Sequence, residues 1–91
     1  MDFEWDPEKE AANLRKNGVS FTEAQSVFAD PLSLTIPDQE HSEDEARFII
    51  IGVSGARRLV VVCHTERGDR IRIISAREAT RREQSDYESD F

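Results

Sequence analysis

The chain has 91 residues, 37% hydrophobic and 34% charged, with a formal net charge of −7. That length suits one domain, 1–91, with a small core. A lone cysteine, Cys63, excludes an internal disulfide framework. The longest apolar runs, 48–51 and 59–63, fall far short of the roughly 20 residues that span a bilayer. The acidic start MDFEWDPEKE lacks the basic and apolar regions of a signal peptide, so a cytoplasmic protein with no membrane contact is expected.

Residues 2–5 alternate polar and apolar, with Phe3 and Trp5 on one side, and predict a short N-terminal strand. Asp6-Pro7 predicts a helix start, with Asp as N-cap and Pro where its missing N–H costs nothing. That helix, 7–17, should stop at Gly18 and bury a narrow stripe of Ala11, Ala12 and Leu14. Ser20-x-x-Glu23 has capping-box spacing and opens a second helix to about Ala29. Phe21, Ala24, Val27 and Phe28 are its buried face, and Asp30-Pro31 ends it. Residues 32–36 suit an edge strand, being flanked by Pro31 and Pro37. Residues 37–44, PDQEHSED, read as an acidic connecting loop.

Three strands should follow as a meander, 47–53, 58–66 and 70–75, with turns at 54–56 and 67–69. The middle strand is apolar on both faces (Leu59, Val61, Cys63 against Val60, Val62) and should be central. Ser75-x-x-Glu78 has capping-box spacing and predicts a C-terminal helix from about Ala76, whose apolar residues are only Ala79, Tyr87 and Phe91. The expected fold is α+β: a small antiparallel sheet, made of the N-terminal strand and the meander, with two N-terminal helices and one C-terminal helix.

The average charge conceals its distribution. Residues 1–46 carry 12 acidic and 3 basic side chains, whereas 57–82 carry 8 arginines against Glu66, Asp69 and Glu78. Surface charges act over roughly 8–10 Å in physiological salt, so a phosphate responds to the local patch. Arginine offers a rigid fork suited to phosphate or carboxylate. Surface arginine enrichment from genome composition explains the same count. Arg77 and Arg81, read as i, i+4 on the predicted helix, would share a face and clamp one phosphate near the helix start. Arg82 also suits a solvated ladder with Glu78 and Asp86. His64 ends the apolar middle strand and could exchange a proton near neutral pH, or simply bond a neighbour. His41 lies in the acidic loop and reads as solvated. Trp5 could stack on a base but more often serves a core. No Cys/His grouping has metal-ligand spacing, no glycine-rich phosphate loop is present, and no cofactor is expected.

Taken together, FEWDPEKEAANLRKNGVSFTEAQSVFADP (3–31), ARFIIIGVS (46–54) and HTERGDRIRIISAREATRREQSDYE (64–88) resemble BrnT-type toxins of bacterial type II toxin–antitoxin pairs. W-D-x-x-K-x-x-x-N, G-V-S-F and R-I-I-S-A-R occur in the family's order. Asn17 departs from it, standing where the family usually has His in a K-H-G turn. The resemblance implies a RelE-like fold and metal-independent RNA cleavage, in which the ribose 2′-OH attacks the adjacent phosphorus. It implies catalytic roles for Arg77 and Arg81 as phosphate clamp and for His64 or Glu66 as proton acceptor. Tyr87, with Glu83 one turn earlier to orient it, or Lys9 is a weaker candidate for an acid or positioning role, and Lys9, Arg67, Arg72 and Arg82 would contact RNA. It further implies a ribbon-helix-helix antitoxin (BrnA-like) that covers the active surface, and operator DNA bound only through that complex. A catalytically silent RNA- or protein-binding module of the same fold would use the same arginines.

Overall fold

The computed structural model describes residues 1–42 and 44–89; the predicted contribution of Phe91 to the last helix lies outside them. Its elements are β1 (Asp2–Glu4), α1 (Pro7–Asn17), α2 (Phe21–Val27), β2 (Leu34–Pro37), a 3-10 turn (Gln39–His41), β3 (Arg47–Val53), β4 (Leu59–Arg67), β5 (Arg70–Glu78) and α3 (Arg81–Ser89). The described residues thus form an α+β fold around one five-stranded sheet, ordered β1-β5-β4-β3-β2. As the alternation predicts, β4 is central. All neighbours are antiparallel except β1, which pairs parallel with β5 (Phe3 opposite Ile71).

The caps act as their chemistry requires. The Asp6 carboxylate accepts from the Glu8 N–H at 2.9 Å, and Gly18 closes α1 in the left-handed region at φ 71°. Ser20 Oγ accepts from the Glu23 N–H at 3.0 Å. The Glu23 carboxylate, however, does not turn back to complete a capping box. It takes two 2.7 Å hydrogen bonds from Arg58 and one from Ser54, tying α2 to the β3–β4 turn. These bonds hold the Glu23 carboxyl below the usual carboxylate range, the Arg58 guanidinium being the main cause.

One sheet face packs on α2. Val19, Phe21, Ala24 and Val27 meet Ile50, Val60, Val62, Ile73 and Ala76, with Phe3, Trp5 and Phe28 against them. Trp5 meets Phe21 edge-to-face at 6.1 Å, so its ring is a packing element. The predicted stripe of α1 is corrected: Ala11 and Ala12 are exposed, Leu14 is 49% exposed, and the buried residue of the helix is Asn13. Beyond Arg72, β5 has no β1 partner on its outer edge, and Asn13 supplies one. Its side chain accepts from the Ala76 N–H (3.1 Å) and donates to the Ala76 (2.8 Å) and Val19 (2.9 Å) carbonyls. Asn17 donates to the same Ala76 carbonyl at 3.0 Å and to Asn13 Oδ1 at 3.1 Å. A primary amide at 17 therefore reinforces the strand edge, which accounts for Asn17 without any catalytic part.

The C-terminal region departs most from expectation. Ser75-x-x-Glu78 starts no helix, because β5 runs on to Glu78, paired to β4 through Val60. The capping box that forms is Thr80-x-x-Glu83: Thr80 N–H donates to Glu83 Oε1 at 2.9 Å and Glu83 N–H to Thr80 Oγ1 at 3.2 Å. Two candidate boxes overlap, and cross-strand pairing with the apolar β4 favours the later one.

Candidate functional site: an arginine-lined hollow on the open sheet face

A one-residue irregularity in β5 decides what the second sheet face presents. His64 pairs with Ile73 and Cys63 with Ser75, so Ile74 is the extra residue of a β-bulge. Up to Ile73 the strand alternates in phase with the core. The bulge shifts that phase by one, sending Ala76 into the core and turning Ser75 and Arg77 to the face opposite α2. Cross-strand rows there run Arg72–Thr65–Arg47, Ser75–Cys63–Ile49–Ile36 and Arg77–Val61–Ile51–Leu34.

Between the outer rows lies a hollow of about 240 Å3 lined by Asp38, His41, Arg47, Ile49, Val61, Cys63, Ile74, Ser75 and Arg77. Arg47 and Arg77 come from β3 and β5 and flank the row holding Ser75 and Cys63. The Arg47 Nε is buried with no hydrogen-bond partner, and its guanidinium forms no ion pair among the described residues. Arg77 is held end-on by Glu83, with Nη1–Oε1 2.7 Å and Nη2–Oε2 2.8 Å. This pair, with the Thr80 N–H, lowers the Glu83 carboxyl from 4.5 to about 2. Asp38 is only 9% exposed, and its two oxygens stand 3.0 and 3.2 Å from His41 Nδ1. Burial raises the Cys63 thiol above its ordinary value, so it stays protonated and behaves as a wall of the hollow.

Helix α3 lies along the rim. Its Glu83, Asp86 and Tyr87 border an adjoining apolar hollow of about 210 Å3 over Leu34, Ile36, Ile49, Ile51 and Val61. Tyr87 is 8% exposed and its hydroxyl donates to Asp30 Oδ2 at 3.1 Å. Glu83 therefore orients Arg77 rather than Tyr87.

The sheet separates several residues that the sequence groups together. His64 points to the opposite face from Arg77, 5% exposed, its ring 4.9 Å from Phe28 and 5.7 Å from Phe48. Burial lowers its pKa, with the Glu66 charge acting more weakly in the other direction. Glu66 is exposed near the end of β4, on the His64 side. Arg77 and Arg81 are not i, i+4 on one helix. Arg77 is a strand residue and Arg81 the first residue of α3, exposed there beside Arg82. No ladder of Glu78, Arg82 and Asp86 forms among the described residues, since Glu78 belongs to the strand. Arg72 lies on the open face, bonded to Glu4 at 2.7 Å. Arg67 reaches Glu45 at 3.5 Å beside the two-residue Gly68-Asp69 turn. Lys9 is exposed on α1. Arg47, Asp38, His41 and Ser75 were not selected from the sequence as site residues. For Ser75 the sequence signal was the break in the I-R-I-I-S-A-R alternation, where two adjacent isoleucines mark the bulge.

What stands here is a small α+β protein with an arginine-lined hollow on an open sheet face, chemistry suited to a phosphodiester. Residues 5–83 match the family of BrnT ribonuclease toxins of type II toxin–antitoxin systems, and the chain belongs to that family. Among solved structures, the crystal structure of the Brucella abortus ribonuclease toxin BrnT is similar, with a TM-score of 0.69 at 21% identity, over 89% of this chain and 99% of that one. That likeness concerns the fold. No curated protein sequence matches the chain. No helix among the described residues is long and apolar enough to cross a membrane.

Proposed function

We propose that the chain is an endoribonuclease that cleaves RNA without metal through attack of the 2′-OH on the adjacent phosphorus, leaving a 2′,3′-cyclic phosphate and a 5′-OH. The observation that carries this reading is the pair Arg47 and Arg77 flanking one hollow, with an unpartnered Arg47 N–H buried at its edge. Such a reaction asks a protein to hold the phosphodiester and to neutralise charge growing on its oxygens. Two guanidinium groups at opposite ends of a small hollow suit both tasks. Arg72, on the same face, together with Arg81 and Arg82 on α3, suits contact with flanking phosphates. Arg67 and Lys9 are exposed and suit longer-range attraction.

Membership of a type II toxin family implies a cognate antitoxin. Our reading makes it a ribbon-helix-helix protein that covers the arginine face and reaches operator DNA as a complex. Expression in bacteria without the partner should arrest growth, co-expression with the neighbouring antitoxin gene should restore it, and folded Arg77→Ala should be harmless. Arrest by Arg77→Ala equal to wild type would remove the arginine hollow from the account.

A second reading is favoured by one observation, the Glu83 carboxylate filling the end-on fork of Arg77. A catalytically silent module of the same fold would bind RNA in a salt-sensitive way and leave it intact.

A further inference from the structure

Resting on the ribonuclease reading above, we propose that His41 is the general base that takes the 2′-OH proton, and that Asp38 is its positioning residue. The Asp38 carboxylate lies where a chain turns from β2 toward β3, and the turn is pinned on several sides. The Asp38 N–H donates to the Arg47 carbonyl at 2.8 Å. Ser42 Oγ donates to the Asp38 carbonyl at 2.6 Å and accepts from the Arg47 N–H at 3.0 Å. Among the described residues the carboxylate of this buried aspartate has one side-chain partner, His41 Nδ1 at 3.0 Å. A carboxylate at Nδ1 selects the tautomer with the proton on that nitrogen and leaves the Nε2 lone pair free. The His41 side chain is 62% exposed, so Nε2 is open to a substrate.

An Asp–His pair three residues apart on a surface is ordinarily a solvated ion pair. Two features distinguish this one. The aspartate is buried while the histidine is not, so the pair points outward in one direction. Both residues also line the hollow that holds Arg47 and Arg77, whose guanidinium groups can fix a phosphate beside the imidazole. Orientation of base and phosphate by separate elements is what an in-line attack requires.

In the step itself, His41 Nε2 accepts the proton of the 2′-OH as its oxygen forms a bond to phosphorus. The bond from phosphorus to the 5′-oxygen breaks, and that oxygen takes a proton from solvent water. The imidazolium returns its proton to solvent, and no oxidant, reductant or net water is consumed. Among the described residues, the charged groups around His41 are Asp38, Glu40, Asp44, Glu45 and Arg47, with Arg77 across the hollow. A general base works only in its neutral form, so the cleavage rate should fall along an acid limb at low pH.

The test is single-turnover cleavage of a short oligoribonucleotide across pH, with RNA affinity measured separately by anisotropy. His41→Ala should lower the cleavage rate by roughly 100-fold or more at little cost in affinity, and should abolish the acid limb. Added imidazole should restore part of the rate, which a purely structural residue would not show. Asp38→Asn should lower the rate and shift the limb, while Arg77→Ala should weaken binding itself. If His41→Ala cleaves at the wild-type rate with an unchanged profile, the dyad is excluded and the ribonuclease reading stands. If the folded wild type binds RNA and leaves it uncut, the ribonuclease reading and the dyad fall together.

Discussion

Arg77 and Glu83 join strand to helix through two parallel hydrogen bonds of 2.7 and 2.8 Å. The contact does two things at once: it aims an arginine of β5 along the open sheet face, and it fastens α3, which has few apolar residues. Glu83 is also the last residue of the Thr80-x-x-Glu83 capping box, so one carboxylate closes the helix start and orients the arginine. It also offsets Arg81 and Arg82, which oppose the helix dipole in the first turn.

Replacing Glu83 by Gln should separate these two effects. The half-exposed pair contributes little stability, about 1 kcal/mol or less, so the variant should stay folded with a frayed α3. Arg77 is then released, and anisotropy should report tighter binding of a short RNA. In the wild type the carboxyl is held near a pKa of about 2 against an ordinary 4.5. A depressed carboxyl stabilises the fold above its unfolded pKa, and that contribution is lost as pH falls from 4.5 toward 2. Helicity followed by circular dichroism should fall across that window, and the Gln variant should show a flatter curve.

His64 predicts a pH dependence of the opposite chemical type. Its folded-state pKa is lowered by burial between Phe28 and Phe48. The unfolded chain therefore takes up the proton first, and stability should decline as pH drops through the ordinary imidazole range near 6.5, levelling off below the folded value. His64→Phe removes both the titration and the unpartnered buried Nδ1. Urea midpoints measured between pH 7.5 and 5 should fall for wild type and stay level for the variant.

Asn13 carries the outer edge of β5. Asn13→Ala leaves the Ala76 N–H without its partner and removes two donors to buried carbonyls. Loss of about 2–4 kcal/mol is expected by urea denaturation, from one stranded donor plus the lost hydrogen bonds. Asn17→Ala removes two part-buried hydrogen bonds and should cost about 1 kcal/mol. A larger effect at 17 than at 13 would show the edge to be held otherwise.

Gly52 is required by close approach. A Cβ there would stand 3.0 Å from Asp30 Oδ2 and from Ser33 Cβ, and 3.1 Å from Val27 Cγ1. The Asp30 carboxylate cannot move freely, because it accepts from the Val53 N–H at 2.8 Å, the Leu32 N–H at 3.0 Å and the Tyr87 hydroxyl at 3.1 Å. Gly52→Ala should therefore destabilise by about 1–3 kcal/mol, read from thermal or urea midpoints.

Local signals carried most of the fold. Asp6-Pro7, Gly18 and Ser20 fix both early helices, and the two-faced apolarity of 59–63 fixes the centre of the sheet. Four features were not legible, each for a physical reason. The parallel pairing of β1 with β5 joins residues nearly seventy positions apart, and no local pattern encodes that. Ser75 and Thr80 both head sequences with capping-box spacing, and strand pairing to β4 decides between them. The bulge at Ile74 then determines that Arg77 shares a face with Arg47 rather than with His64. His41 in an acidic loop reads as solvated until the turn folds and sets it against buried Asp38.

The most direct test of the central claim is end-mapping of RNA treated with purified protein in the presence of a metal chelator, comparing wild type with Arg47→Ala and Arg77→Ala. The account predicts fragments ending in 2′,3′-cyclic phosphate with wild type, and a loss of roughly 100-fold or more in rate for each variant, from removal of a charge-stabilising donor. Intact RNA with wild type, or unchanged cleavage with both arginine variants, would contradict it.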